Sequence, residues 1–148
     1  MRQIVFTSNM KKLLTLSGQR ADLGLLIIRV AIGASMMVHG LPKLQGGPER
    51  WEGIGSNMEN LGIAFGYTFW GFMAGFAEFI GGLLVIIGLA TRPAVLLLIF
   101  TMAVATLRHV VAGDGFRGWS HAAELGIVFL GLYFTGPGKY SLDKRILN

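Results

Sequence analysis

The most restrictive feature of this chain is an apolar run from Phe65 to Ala90 that one ionisable residue, Glu78, interrupts. About 20 helical residues cross the roughly 30 Å hydrocarbon layer of a bilayer, so a run of this length reads as a membrane-spanning helix. Three further runs share the character. Leu23 to Leu41 is broken by Arg29 and His39, and Pro93 to Leu107 reaches full length with Arg92 and Arg108 at the two interfaces. The fourth, Leu125 to Gly136, is short, and a complete span has to extend back toward Trp119 and submerge Glu124. Composition agrees: 53% of the 148 residues are hydrophobic and 14% charged, against roughly a quarter charged in a soluble domain. The expected fold is all-α, an antiparallel bundle of four transmembrane helices over residues 21–148, preceded by an N-terminal segment, residues 1–20.

The first run is not read as a cleaved secretory signal, because Arg29 interrupts its apolar core and no small-x-small cleavage site follows. Lys and Arg set the orientation. Eight lie in the N-terminal segment, the second loop and the C-terminal tail, and four (Lys43, Arg50, Arg108, Arg117) in the first and third loops. Both termini are therefore expected on the cytoplasmic side of a bacterial inner membrane. The basic residues flank apolar runs, so the net charge of +5 points to topology rather than nucleic acid. Lys11 and Lys12 fit either a mildly amphipathic segment on anionic lipid or a disordered tail. The first loop, rich in Gly, Pro and charge, is expected across the outer mouth of the bundle.

Gly71, Gly75, Glu78 and Gly82 share one helical face, so small residues surround one acid. Small residues let helices approach in lipid, and a lipid-facing carboxylate is costly, which turns Glu78 into the bundle. Arg29 is its expected partner: counted from Asp22 and Leu89, their depths differ by roughly 6 Å. That pair either fixes helix register or lines a cavity for a quinone or a transported proton. A second polar set, His39, Lys43, Arg108, His109, His121 and Glu124, gathers at the outer helix ends. It fits an ordinary interface, or a site in which His39, Lys43, His109 and Glu124 orient or deprotonate a quinone head group. The chain has no cysteine, which removes thiol redox chemistry and thiolate metal sites. No pair of histidines shares a mid-bundle depth, so neither metal nor haem is expected.

Three segments in order resemble the DoxX family of small four-helix membrane proteins. They are "LLIIRVAIGASMMVHGLPKL" with Arg29, Gly40 and Lys43, "AEFIGGLLVIIGLATRPAVLLL" from Glu78 through Gly81 and Gly82 to Arg92, and "GPGKYSLDK" from Gly136 to Lys144. The resemblance implies a link to quinone-dependent sulfur oxidation or to membrane oxidoreductase complexes, and carries over Arg29, Lys43 and Glu78 as pattern positions only. The leading expectation is a quinone-interacting subunit or partner of a membrane oxidoreductase, supplied with electrons from elsewhere. Its partners would be lipid, quinone, other redox subunits and further copies of itself. A non-enzymatic scaffold or assembly factor is the first rival, a proton or small-solute transporter the second. A quinone site predicts an elongated apolar cavity opening to lipid with a polar end near His39 or Glu124; a scaffold predicts a filled bundle with Gly71, Gly75 or Gly82 against another chain.

Overall fold

The computed structural model describes residues 18–146, and these are all helix and turn. Helix α1 runs Gly18–Gln45, α2 Gly47–Gly55, α3 Tyr67–Ile87, α4 Thr91–Val111, α5 Gly115–Thr135 and α6 Leu142–Ile146. A 3-10 segment, Ser56–Leu61, joins α2 to the approach of α3. The reading of residues 1–17, including Lys11 and Lys12 on lipid, falls outside the described residues.

Three helices, α1, α3 and α4, are long and apolar enough to cross a membrane. Helix α5 equals α4 in length, 21 residues, but Arg117, His121 and Glu124 dilute its apolar character. The α3–α4 and α4–α5 connections are three residues each, which forces antiparallel neighbours. Helix α1 is antiparallel to α3 as well, since Gly33 meets Gly82 while Gly40 meets Glu78 and Phe79. The helices form a ring, α1 on α3, α3 on α4, α4 on α5, closed where the His39 and His121 rings approach with centroids 6.3 Å apart. Met36, Val85, Val95, Leu98 and Phe129 fill its centre.

Helix α2 lies against the start of α3 at what is called here the lid end. Glycine permits this: a Cβ on Gly55 would stand 1.8 Å from the Tyr67 carbonyl oxygen, and one on Gly71 1.8 Å from that of Trp51. The first loop thus does cover one end of the bundle, as a packed helix rather than a strap. At the other end the segment from Gly136 to Asp143 returns between α1, α3 and α4. Asp22 Oδ1 accepts from the Lys139 amide at 2.9 Å, and the Asp143 amide donates to Gly88 O at 2.8 Å.

Candidate functional site: a lipid-side cavity with a buried Lys43–Glu78 pair

Helix α3 departs from α-helical winding where its acid sits. Ala77–Gly81 forms a π turn between two α-helical segments, a feature that shifts the side chains on either side of it and is common at functional sites. Helix α1 crosses that turn at Gly40, where a Cβ would lie 2.5 Å from the Phe79 nitrogen and 2.9 Å from Glu78 Cβ. The close crossing brings Lys43, one turn further along α1, to Glu78: Nζ to Oε1 is 2.6 Å. Glu78 is 1% exposed, and the Lys43 side chain 28%. Trp51 on α2 donates its indole N–H to the Lys43 carbonyl at 2.8 Å and so fixes the end of α1 that carries the ammonium.

Glu78 is therefore turned inward and ion-paired as expected, but with Lys43 rather than Arg29. Arg29 is wholly buried elsewhere. Its Nη1 donates to the carbonyls of Val85 (3.3 Å) and Ile86 (3.4 Å), and its Nη2 to that of Tyr140. The physical reason is depth. Arg29 is level with Val85 and Ile86, and Glu78 lies seven residues from Val85, about 10 Å along α3, beyond a guanidinium already engaged. The last turn of α3 offers carbonyls that lack the regular amide donor four residues on, Val85 O holding only the Gly88 amide at 3.3 Å, and a planar fork of donors meets them and the tail together. Gly88, at φ 67°, completes the arrangement, because a Cβ there would stand 2.1 Å from Arg29 Nη1.

Asp143 supplies the matching acid at this end. Its Oδ1 accepts from the Ala90 amide at 2.7 Å and its Oδ2 from the Thr91 amide at 2.9 Å, capping α4 from a distant part of the chain. Burial pushes its carboxyl up, but the hydrogen bonds from Thr91 and Ala90, helped by the Arg29 charge, outweigh that and hold it below the usual carboxylate value.

Beside the Lys43–Glu78 pair lies a cavity of about 400 Å³ between α3 and α4, roofed by Ile54, Gly55 and Met58. It extends from Glu78 and Thr101 to Trp70 and Arg108, roughly 12 Å along the helices. Its walls are apolar: Met73, Ala74, Ala77, Val104 and Ala105. Phe69, Leu97 and Phe100 line it and are also exposed on the bundle surface, so it opens sideways between α3 and α4. At its far end His109 Nδ1 lies 2.6 Å from Asp114 Oδ2 and 3.0 Å from Arg108 Nη1.

The candidate quinone set is thus divided. Lys43 and His109 line the cavity, at opposite ends; His39 and Glu124 are on the α1–α5 side, outside its lining. One polar end is Lys43 with Glu78, and the sequence signal for it was the Gly-x-x-Lys of Gly40 and Lys43 opposite Glu78. Gly71, Gly75 and Gly82 pack as the small-residue face predicted, but inside the chain. A Cβ would meet Trp51 O at 1.8 Å, Lys43 Cβ at 3.1 Å and Gly33 O at 2.7 Å respectively. They are not a face left open for another protein.

Comparison with known proteins agrees with this architecture. The sequence profile of the DoxX family matches residues 24–111, which include Arg29, Lys43, Glu78 and both cavity-forming helices. The uncharacterized membrane protein Rv3486 of Mycobacterium tuberculosis is 34% identical over 138 residues, covering 80% of this chain and 78% of its own. The inner membrane protein YphA of Escherichia coli is 31% identical, covering 82% and 89%. A Bacillus subtilis protein named "Putative oxidoreductase CatD" is 35% identical, covering 82% and 86%. No solved structure matches. The chain is a membrane protein and a member of the DoxX family.

Proposed function

We propose that this protein is a subunit or partner of a membrane oxidoreductase in the bacterial inner membrane, with both termini cytoplasmic, and that it holds the head group of a quinone in the cavity between α3 and α4. The observation that carries the reading is the cavity itself. Its walls are apolar, it is open to lipid through Phe69, Leu97 and Phe100, and it is polar at its two ends, at Arg108 with His109 and where Lys43 meets Glu78 with donors to spare. Ligand sites of this kind combine an apolar wall with a few placed polar groups. The Lys43 ammonium has three N–H donors, and Glu78 Oε1 engages it from one side. The donors that remain suit a quinone carbonyl, while the prenyl tail leaves through the lateral opening into lipid. Without a thiol in the chain, electrons would come from a partner subunit. The name of the Bacillus subtilis relative and the inner-membrane name of the Escherichia coli one are consistent with this role and place. A transporter reading gains no support, since past Glu78 the space between the helices is filled by Val85, Val95, Leu98 and Phe129, all fully buried.

The test is native mass spectrometry of the protein extracted with its own lipids. Wild type retains quinone; Ala74→Phe, which puts a ring into the cavity, loses it; His39→Ala, outside the cavity, keeps it. Equal retention by wild type and Ala74→Phe, or none by wild type, refutes the proposal.

A further inference from the structure

His39, His121 and Glu124, left outside the cavity, lie on the opposite edge of the bundle, and all three are exposed. Helix α5 packs along α4 and has its length, with Gly126 against Met102 near the middle of α4. Glu124 is nine residues into α5, about 14 Å along it from its first residue, level with the interior of the spanning helix α4 against which α5 packs. Ionisable residues at such depth face protein or a water-filled cavity and are paired. Among the described residues Glu124 has no ion-pair partner in its own chain.

Ile127 and Gly131 follow Glu124 at the spacing of one helical face. Ile127 is 68% exposed, and nothing lies within 4 Å of the Cβ position of Gly131, unlike the tightly used glycines of α3. A glycine inside a helix is destabilising relative to alanine, and within this chain Gly131 gains no packing in return. Open glycines of this type let a second helix approach closely in lipid. The same patch carries both halves of a hydrogen-bonded pair: imidazole N–H donors on His39 and His121 and a carboxylate acceptor on Glu124. A surface holding both is complementary to itself under a two-fold axis, the symmetry of most dimers.

We infer that the α1–α5 edge is the contact between two copies of this chain, with α5 crossing α5 near Gly131 and Glu124 of each copy accepting a hydrogen bond from His121 or His39 of the other. The two cavities then open on the outer flanks of the dimer, each facing lipid.

The absence of cysteine makes the test clean. Single variants Ile127→Cys, on this edge, and Leu83→Cys, exposed on α3, are oxidised in native membranes and scored for covalent dimer, and wild type is weighed by native mass spectrometry. The expected result is a two-copy mass, crosslinking at Ile127→Cys and none at Leu83→Cys. Adding Glu124→Ala to Ile127→Cys lowers the dimerisation constant about tenfold. A single-copy mass, a complex with a different membrane protein in place of a second copy, or crosslinking at Leu83→Cys equal to that at Ile127→Cys overturns the inference. The wild-type mass decides even where a variant fails to fold.

Discussion

Removing the Lys43 cation while keeping its stem, Lys43→Met, isolates the buried pair. Glu78 is 1% exposed, its Oε1 is bonded to Lys43, and its Oε2 has no hydrogen-bond partner among the described residues. The substitution leaves a buried carboxylate with neither oxygen satisfied. Breaking a buried ion pair from one side costs about 3–5 kcal/mol. Lys43 is 28% exposed on its side chain, so water already reaches part of the pair and the lower bound applies, about 3 kcal/mol or roughly a hundredfold in the folding equilibrium. Glu78→Gln should cost less, about 1–2 kcal/mol, because the remaining ammonium can turn toward the cavity. The double variant should recover most of the loss, because it leaves no unpaired charge. Equilibrium unfolding in mixed micelles, run as a double-mutant cycle, measures the coupling directly. Additive effects of Lys43→Met and Glu78→Gln, or coupling of Glu78→Gln to Arg29→Met instead, would refute the assignment of Lys43 as the partner.

Other substitutions probe the frame around the site. Arg29→Lys keeps the charge but loses the planar fork that reaches Val85, Ile86 and Tyr140 together; a loss of about 3 kcal/mol and faster tryptic cleavage at Lys139 are expected. Gly33→Ala places a methyl 2.6 Å from the Gly82 carbonyl oxygen, and the forced separation of α1 from α3 should cost about 1–3 kcal/mol in the same unfolding assay. Ala90 occupies the left-handed region at φ 46°, so Ala90→Gly should stabilise by about 1 kcal/mol, read as a raised melting temperature. Asp143 binds its proton less readily folded than unfolded, so its contribution is present above the unfolded carboxylate value near ~4 and lost as pH falls through the lower folded one. Thermal stability measured from about pH 5 down to about pH 3 should fall, and with a shallower slope in Asp143→Asn.

Length and hydropathy sufficed for three spanning helices. The fourth run, diluted by Arg117, His121 and Glu124, gives α5, which is helical over 21 residues without the apolar character of a span, and the helix α2 in the first loop left no hydropathy signal. The apolar run from Phe65 to Ala90 became α3 and the connection to α4, Thr91, Arg92 and Pro93 form the first turn of α4, and the glycine face of α3 packed inward as its spacing required. Depth counting failed at Arg29 because it set Asp22 and Leu89 level. Helix α1 in fact extends past the end of α3, and Asp22 is level with the returning tail near Lys139. Arg29 is bound by backbone carbonyls, which every residue possesses and which therefore leave no mark in a sequence. Convergence of the outer polar residues was half legible. Topology puts them at one end of the bundle, but which edge each one faces depends on helix rotation. Lys43 lines the cavity and His39, one turn earlier along α1, does not.

The return of the tail also sets an order of assembly. Arg29 belongs to the first spanning helix and therefore enters the membrane early, yet one of its acceptors is the Tyr140 carbonyl, and the cap of α4 is Asp143. Until those residues have been synthesised, a buried cation and the start of a transmembrane helix both lack groups that the finished protein supplies. A chain interrupted before residue 140 can insert its helices but cannot close that end of the bundle. The short segment "KYSLD" thus completes contacts that no earlier part of the described chain supplies, so this end of the bundle closes last.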